Sequence, residues 1–62
     1  MEAQIVRKKE AAVLAGLSVR TMERLVSRGE FPAPVRLSER TRGWRVAEVR
    51  EWAAQLEKVV AA

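Results

Sequence analysis

The chain has 62 residues, 12 Lys and Arg against 8 Asp and Glu, and neither cysteine nor histidine. That length allows one domain around a small core, and the missing residue types exclude a disulfide staple and the usual nitrogen and sulfur ligands of a structural zinc. No apolar run approaches the roughly 20 residues of a membrane span, and the first residues lack a signal-peptide core, so the expectation is a cytoplasmic protein with no membrane contact and no cofactor.

Residues 1–6 form an entry segment in which Ile5 and Val6 either pair as an edge strand or pack down on the domain. Lys8 to Ala15 reads as a short helix, with apolar positions at Ala11, Ala12, Val13, Leu14 and Ala15 and with Glu10 near its positive end. It closes at Gly16, the residue type that accepts the left-handed conformation of a helix terminus. After a turn through Leu17, Ser18 caps a second helix expected from Val19 to Arg28, although Thr21 stands where a glutamate would complete a capping box. Met22, Leu25 and Val26 face inward on that helix and leave Arg20, Thr21, Arg24 and Arg28 outside. Gly29 ends it.

The Phe31, Pro32, Ala33, Pro34 stretch is an extended connector, since each proline lacks a donor and biases its predecessor away from the helix. Phe31 is expected to plug the core beneath the two helices. Val35, Arg36 and Leu37, then Trp44, Arg45 and Val46, alternate apolar with basic residues on either side of a turn from Ser38 to Gly43, which describes a two-stranded hairpin. A hairpin alone is marginal in water, so Val35, Leu37, Trp44 and Val46 must in some combination lean on the helices. A last helix is expected from Ala47 to Val60, its stripe formed by Val49, Trp52, Ala53, Leu56 and Val60, with residues 59–62 as a tail that frays.

The order helix, turn, helix, hairpin, helix is that of a winged helix-turn-helix, mainly α with a small β-hairpin. Its charge agrees: between residues 20 and 45 seven arginines face three glutamates, and this excess accounts for the whole formal charge of +4. Arginine's planar fork suits bidentate contact with phosphate and guanine. The expected contacts to double-stranded DNA are therefore Ser18, Arg20, Thr21, Arg24 and Arg28 from the recognition helix in the major groove. Arg36, Arg40 and Arg42 extend the footprint from the wing to flanking backbone or minor groove. Enzyme chemistry lacks its usual groups, because His, Cys, Tyr and Asp are all missing and the glutamates are scattered. The competing reading is a small protein-interaction module, an adaptor or antitoxin-like partner, in which the last helix pairs with a second copy.

An ordered set of residues carries a resemblance. It consists of Lys9, Glu10 and Ala11; Gly16, Leu17, Ser18 and Thr21; Arg24 and Leu25; Gly29, Glu30, Phe31, Pro32 and Pro34; Val35 and Leu37; and Gly43, Trp44 and Arg45, with Trp52 eight residues after Trp44. From about Val6 to Trp52 the chain resembles the AlpA family of small phage and prophage regulators, close in shape to excisionases and to the DNA-binding part of the MerR group. The resemblance implies a protein without catalytic activity that binds DNA at a promoter or attachment site. There it activates phage genes or sets the direction of excision. Apart from the resemblance, the small surface that a single module of this size buries on DNA leads to the expectation of a monomer that binds cooperatively or as a dimer, with an integrase or RNA polymerase as further partners of the bound complex. By position the resemblance assigns Arg20, Thr21 and Arg24 to the groove, Arg40 and Arg42 to the wing, and Trp44 and Trp52 to the core. The chain departs from the family at Glu23, where an aromatic residue, commonly tyrosine, is usual. It departs again at Val46 and Ala47, which replace a polar pair at a helix start and cost about 1 kcal/mol of capping.

Overall fold

The computed structural model describes residues 3–59; the expectation for Val60 and the end of the tail lies outside them. In chain order the elements are β1 (Ile5–Val6), α1 (Lys8–Ala15), α2 (Val19–Ser27), β2 (Val35–Arg36), β3 (Arg42–Arg45) and α3 (Val46–Ala54). The architecture is thus three helices with a small antiparallel sheet in the order β1-β3-β2.

Both helices of the helix-turn-helix end by the same device. Gly16 sits at φ 76°, which lets its N–H reach the Val13 carbonyl at 3.0 Å and the Leu17 N–H reach Ala12 at 2.8 Å. Leu17 is thereby turned back against the core. At the end of α2, Gly29 repeats the geometry at φ 73°, with Gly29 N–H on Val26 and Glu30 N–H on Leu25. Between these stops Ser18 caps α2 as its sequence position suggests. Its hydroxyl oxygen accepts from the Thr21 N–H at 3.1 Å and donates to Thr21 Oγ1 at 2.9 Å. Regular helix ends at Ser27, and Arg28 is the C-terminal cap rather than the last helical residue.

Ile5 and Val6 take the first of their two expected roles and pair with β3, Ile5 opposite Arg45 and Val6 opposite Trp44. On the other side of β3, Val35 lies opposite Gly43 and Arg36 opposite Arg42. The reverse turn is shorter than the Ser38 to Gly43 segment expected: Thr41 N–H donates to Ser38 across the tip, and Arg42 and Gly43 belong to the strand. The reason is β2: Arg36 and Val35 pair with Arg42 and Gly43 directly, so the ladder takes in what composition alone marks as turn, while β1 pairs with Trp44 and Arg45. Gly43 is required in this central strand because a Cβ there would stand 2.7 Å from Ile5 Cγ2, 3.0 Å from the Val6 carbonyl oxygen and 3.1 Å from Leu37 Cδ1.

The core is a cluster of Ala11, Ala12, Met22, Phe31, Trp44 and Val49. Phe31 plugs it as expected, and of the four hairpin residues Trp44 and Val46 are buried, Val35 is half-buried and Leu37 is exposed. Trp44 Nε1 donates to the Pro32 carbonyl at 2.8 Å and Trp52 Nε1 to the Glu30 carbonyl at 2.8 Å. Trp52 itself is half-buried and meets Phe31 edge-on, ring centroids 4.7 Å apart.

The last helix differs from its expected span at both ends. Val46, expected in a strand, is its first residue. Its N–H donates to the Gln4 carbonyl at 3.0 Å, a backbone substitute for the side-chain cap that Arg45 does not provide. The helix ends at Ala54 instead of continuing to Val60, because beyond that point its stripe has nothing to cover: Leu56 is 57 % and Val59 98 % exposed. Val49 and Trp52 bind the helix to the core, and past them propensity alone does not hold so short a segment helical.

Three variants test this packing by urea denaturation. Trp44→Ala is expected to lose about 3 to 5 kcal/mol through the cavity it opens, and more than Trp52→Ala, which removes a ring already partly in water. Gly43→Ala is expected to lose about 1 to 3 kcal/mol by overpacking the centre of the sheet.

Candidate nucleic-acid interface

On α2 the residues not used by the core form one exposed ridge. At 100° per residue Arg20, Arg24 and Ser27 fall on a single line, with Glu23 on one flank and Thr21 and Arg28 on the other. Met22 is fully buried, and Leu25 and Val26 pack against the core, so this orientation is imposed by the helix's own apolar face. Arg20 and Arg24 are exposed on the crest, one turn apart. Arg28 stands on the far flank, its Nη1 4.0 Å from Glu30 Oε2. Ser18 is exposed and Thr21 half-buried, and their hydroxyls are engaged with each other in the cap.

The wing meets the other flank. Alternation along β3 puts Arg42 on the same face as Trp44, which is the face turned toward the helices. Arg36, directly opposite Arg42, shares that face. Two like charges opposite each other repel, and a phosphate between them would remove the repulsion. Arg42 is therefore a strand residue with a defined direction, a correction to its expected place in the turn, whereas Arg40 does lie in the turn at the wing tip.

Between α2, the wing and the start of α1 lies an open groove of about 590 Å³, whose charged lining is Arg7, Lys8, Lys9, Arg40, Arg42 and Glu23. Five cations thus surround one carboxylate. The carboxylate is paired: Lys8 Nζ lies 2.9 Å from Glu23 Oε2, linking α1 to α2 across the groove, with both side chains about half exposed. Of the expected contact residues, the fold gathers Arg40 and Arg42 here, sets Arg20 and Arg24 on the adjoining ridge, and turns Arg28 away.

Arg7, Lys8 and Lys9 were missed by the sequence reading. Their signal was present as a contiguous basic run, but counting charge by segment cancelled it against glutamates elsewhere in the chain, including Glu48 and Glu51 on α3. Only the pairing of β1 with β3 brings that run beside Arg40 and Arg42.

Among the described residues no group of His, Cys, Asp or Glu could hold a metal ion, and no helix is long and apolar enough to cross a membrane. The family model described as Prophage CP4-57 regulatory protein (AlpA) matches the chain over residues 4–58. No curated protein and no solved structure matches it. The match takes in the helix-turn-helix, the wing and the helix that follows, and on that basis the chain belongs to the AlpA family of small phage-type DNA-binding regulators.

Proposed function

We propose that this protein is a cytoplasmic, single-domain, sequence-specific binder of double-stranded DNA. In this reading it regulates a phage or prophage promoter, or sets the direction of excision at an attachment site. The recognition element is α2, which enters the major groove. Arg20 and Arg24 reach base edges or the phosphates beside them, while Ser18, Thr21 and Arg28 contribute at the ends of the helix. Arg36, Arg40 and Arg42 hold flanking backbone or minor groove from the wing, and Arg7 and Lys9 add a backbone contact on the side of α1.

The observation that carries this reading is the placement of the Arg20 and Arg24 crest of α2 beside a groove lined by Arg7, Lys8, Lys9, Arg40 and Arg42. DNA recognition needs two separable kinds of contact, phosphate contacts that fix register and base contacts that specify sequence. A ridge for the groove beside a basic flank for the backbone supplies both. A small module buries only about 600 to 1,000 Å² on DNA, so cooperative binding of several copies, or dimerisation, together with contact to an integrase or RNA polymerase, belongs to the same proposal.

A second reading, a protein-interaction module, draws on one observation: Val13 is 75 % and Leu14 40 % exposed on α1, next to a shallow groove with Val6 and Val46. Selection from a pool of random short duplexes at physiological salt separates the two. An enriched motif is expected, its half-site spacing reporting the number of bound copies, and absence of enrichment favours the module.

Three substitutions divide the labour of the arginines. Arg20→Ala and Arg24→Ala are each expected to lose about 1 to 3 kcal/mol on the selected site and little on random duplex, measured by fluorescence anisotropy. Arg42→Ala is expected to weaken binding to all sequences and to shallow the dependence of log affinity on log salt by about one unit.

A further inference from the structure

Among the described residues, Glu23 is the one acidic side chain on the α2 ridge and the one that lines the basic groove. A bare carboxylate in that position would be repelled by a polyanion. Here it is not bare. The Lys8 ammonium, reaching from the first residue of α1, lies 2.9 Å from Oε2. That bond offsets the charge locally and draws the side chain toward α1. Oε1 makes no hydrogen bond among the described residues. The result is an oriented acceptor on the recognition ridge, half exposed and one turn from Ser27 and Arg20.

An acceptor-only group in the major groove has a defined complement. Cytosine presents its N4 amino donor there, whereas guanine presents the acceptors N7 and O6, and adenine places the acceptor N7 beside its N6 donor. We propose that Glu23 is a specificity-determining residue that accepts from a cytosine amino group, and that Lys8 is its positioning residue. The inference rests on the reading in which α2 enters the major groove. The tie to Lys8 converts what would be a repulsive charge into a base reader. It also makes the pair formally neutral, so Arg7, Lys9, Arg40 and Arg42 remain to bind phosphate.

The test is selection from random duplexes with the full chain as wild type and as Glu23→Gln, Lys8→Met and Lys8→Arg, with circular dichroism to establish that each variant is folded. The wild-type motif is expected to contain a C·G pair discriminated by about 5- to 100-fold at one position. In Glu23→Gln, that position alone is expected to lose cytosine and to move toward adenine, whose N6 and N7 suit an amide. Lys8→Met is expected to flatten the same position while the others stand, and Lys8→Arg to restore it. A Glu23→Gln variant that selects the wild-type motif at every position and binds all sequences more tightly overturns the inference alone and makes Glu23 a charge brake. Uniform loss across sequences in Lys8→Met overturns the positioning role and makes Lys8 a phosphate contact. A wild-type chain that enriches nothing overturns this inference and the DNA reading together.

Discussion

Two indole N–H groups hold the backbone on either side of Phe31, and the rest of the molecule depends on that clamp. Trp44 donates to the carbonyl of Pro32 and Trp52 to that of Glu30, while the Phe31 ring is driven into the core between them. The connector has no helical or strand ladder of its own to fix it, and its prolines remove backbone donors. The clamp adds to the shared core of Met22 and Trp44 in relating the direction of α2 to that of the wing. With it, one tryptophan from β3 and one from α3 fasten the end of α2 to both elements that follow. The Gly-Glu-Phe-Pro segment and the two tryptophans therefore form a single mechanical unit although they are separated in sequence.

That unit explains why the basic groove has walls. The ridge of α2 is set by its own buried face, but the opposite wall consists of Arg40 and Arg42, whose position follows from where β3 lies. β3 is fixed in turn by Trp44 on the core side and by β1 along its edge. β1 runs directly into Arg7 and the start of α1, so the strand that completes the sheet also delivers Arg7, Lys8 and Lys9 to the groove. Gly43 lies at the crossing point, where β1 and Leu37 come closer than any side chain on β3 would permit. Sheet closure and assembly of the charged surface are one event in this fold.

The family relationship and the physical reading meet at Glu23. The resemblance to the family implies an aromatic residue at that position, and a carboxylate in its place is open to repulsion by phosphate as well as to base recognition. The ion pair to Lys8 supplies the missing partner from a different helix. Its strength as a surface pair is modest, about 0 to 1 kcal/mol, so its importance lies in orientation and in local neutrality rather than in stability.

Local chemistry determined much of this protein. The limits of α1, the stops at Gly16 and Gly29, the Ser18 cap, the inward face of α2 and the burial of Phe31 all follow from residues within a few positions of one another, and they were legible for that reason. The same holds for the arginine ridge, since a helix with Met22, Leu25 and Val26 inside has no other place for Arg20 and Arg24. Tertiary structure decided what local chemistry leaves degenerate. Alternation did not distinguish the end of a strand from the start of a helix at Val46, because the Gln4 carbonyl that caps that helix belongs to a distant segment. Apolar spacing promised a helix to Val60, but spacing does not say whether a surface exists to receive the stripe, and among the described residues past Trp52 both Leu56 and Val59 stand exposed. Charge summed along the chain hid the basic run at Arg7, Lys8 and Lys9, because electrostatic potential depends on distance in space, and only the folded sheet brings those residues against the wing.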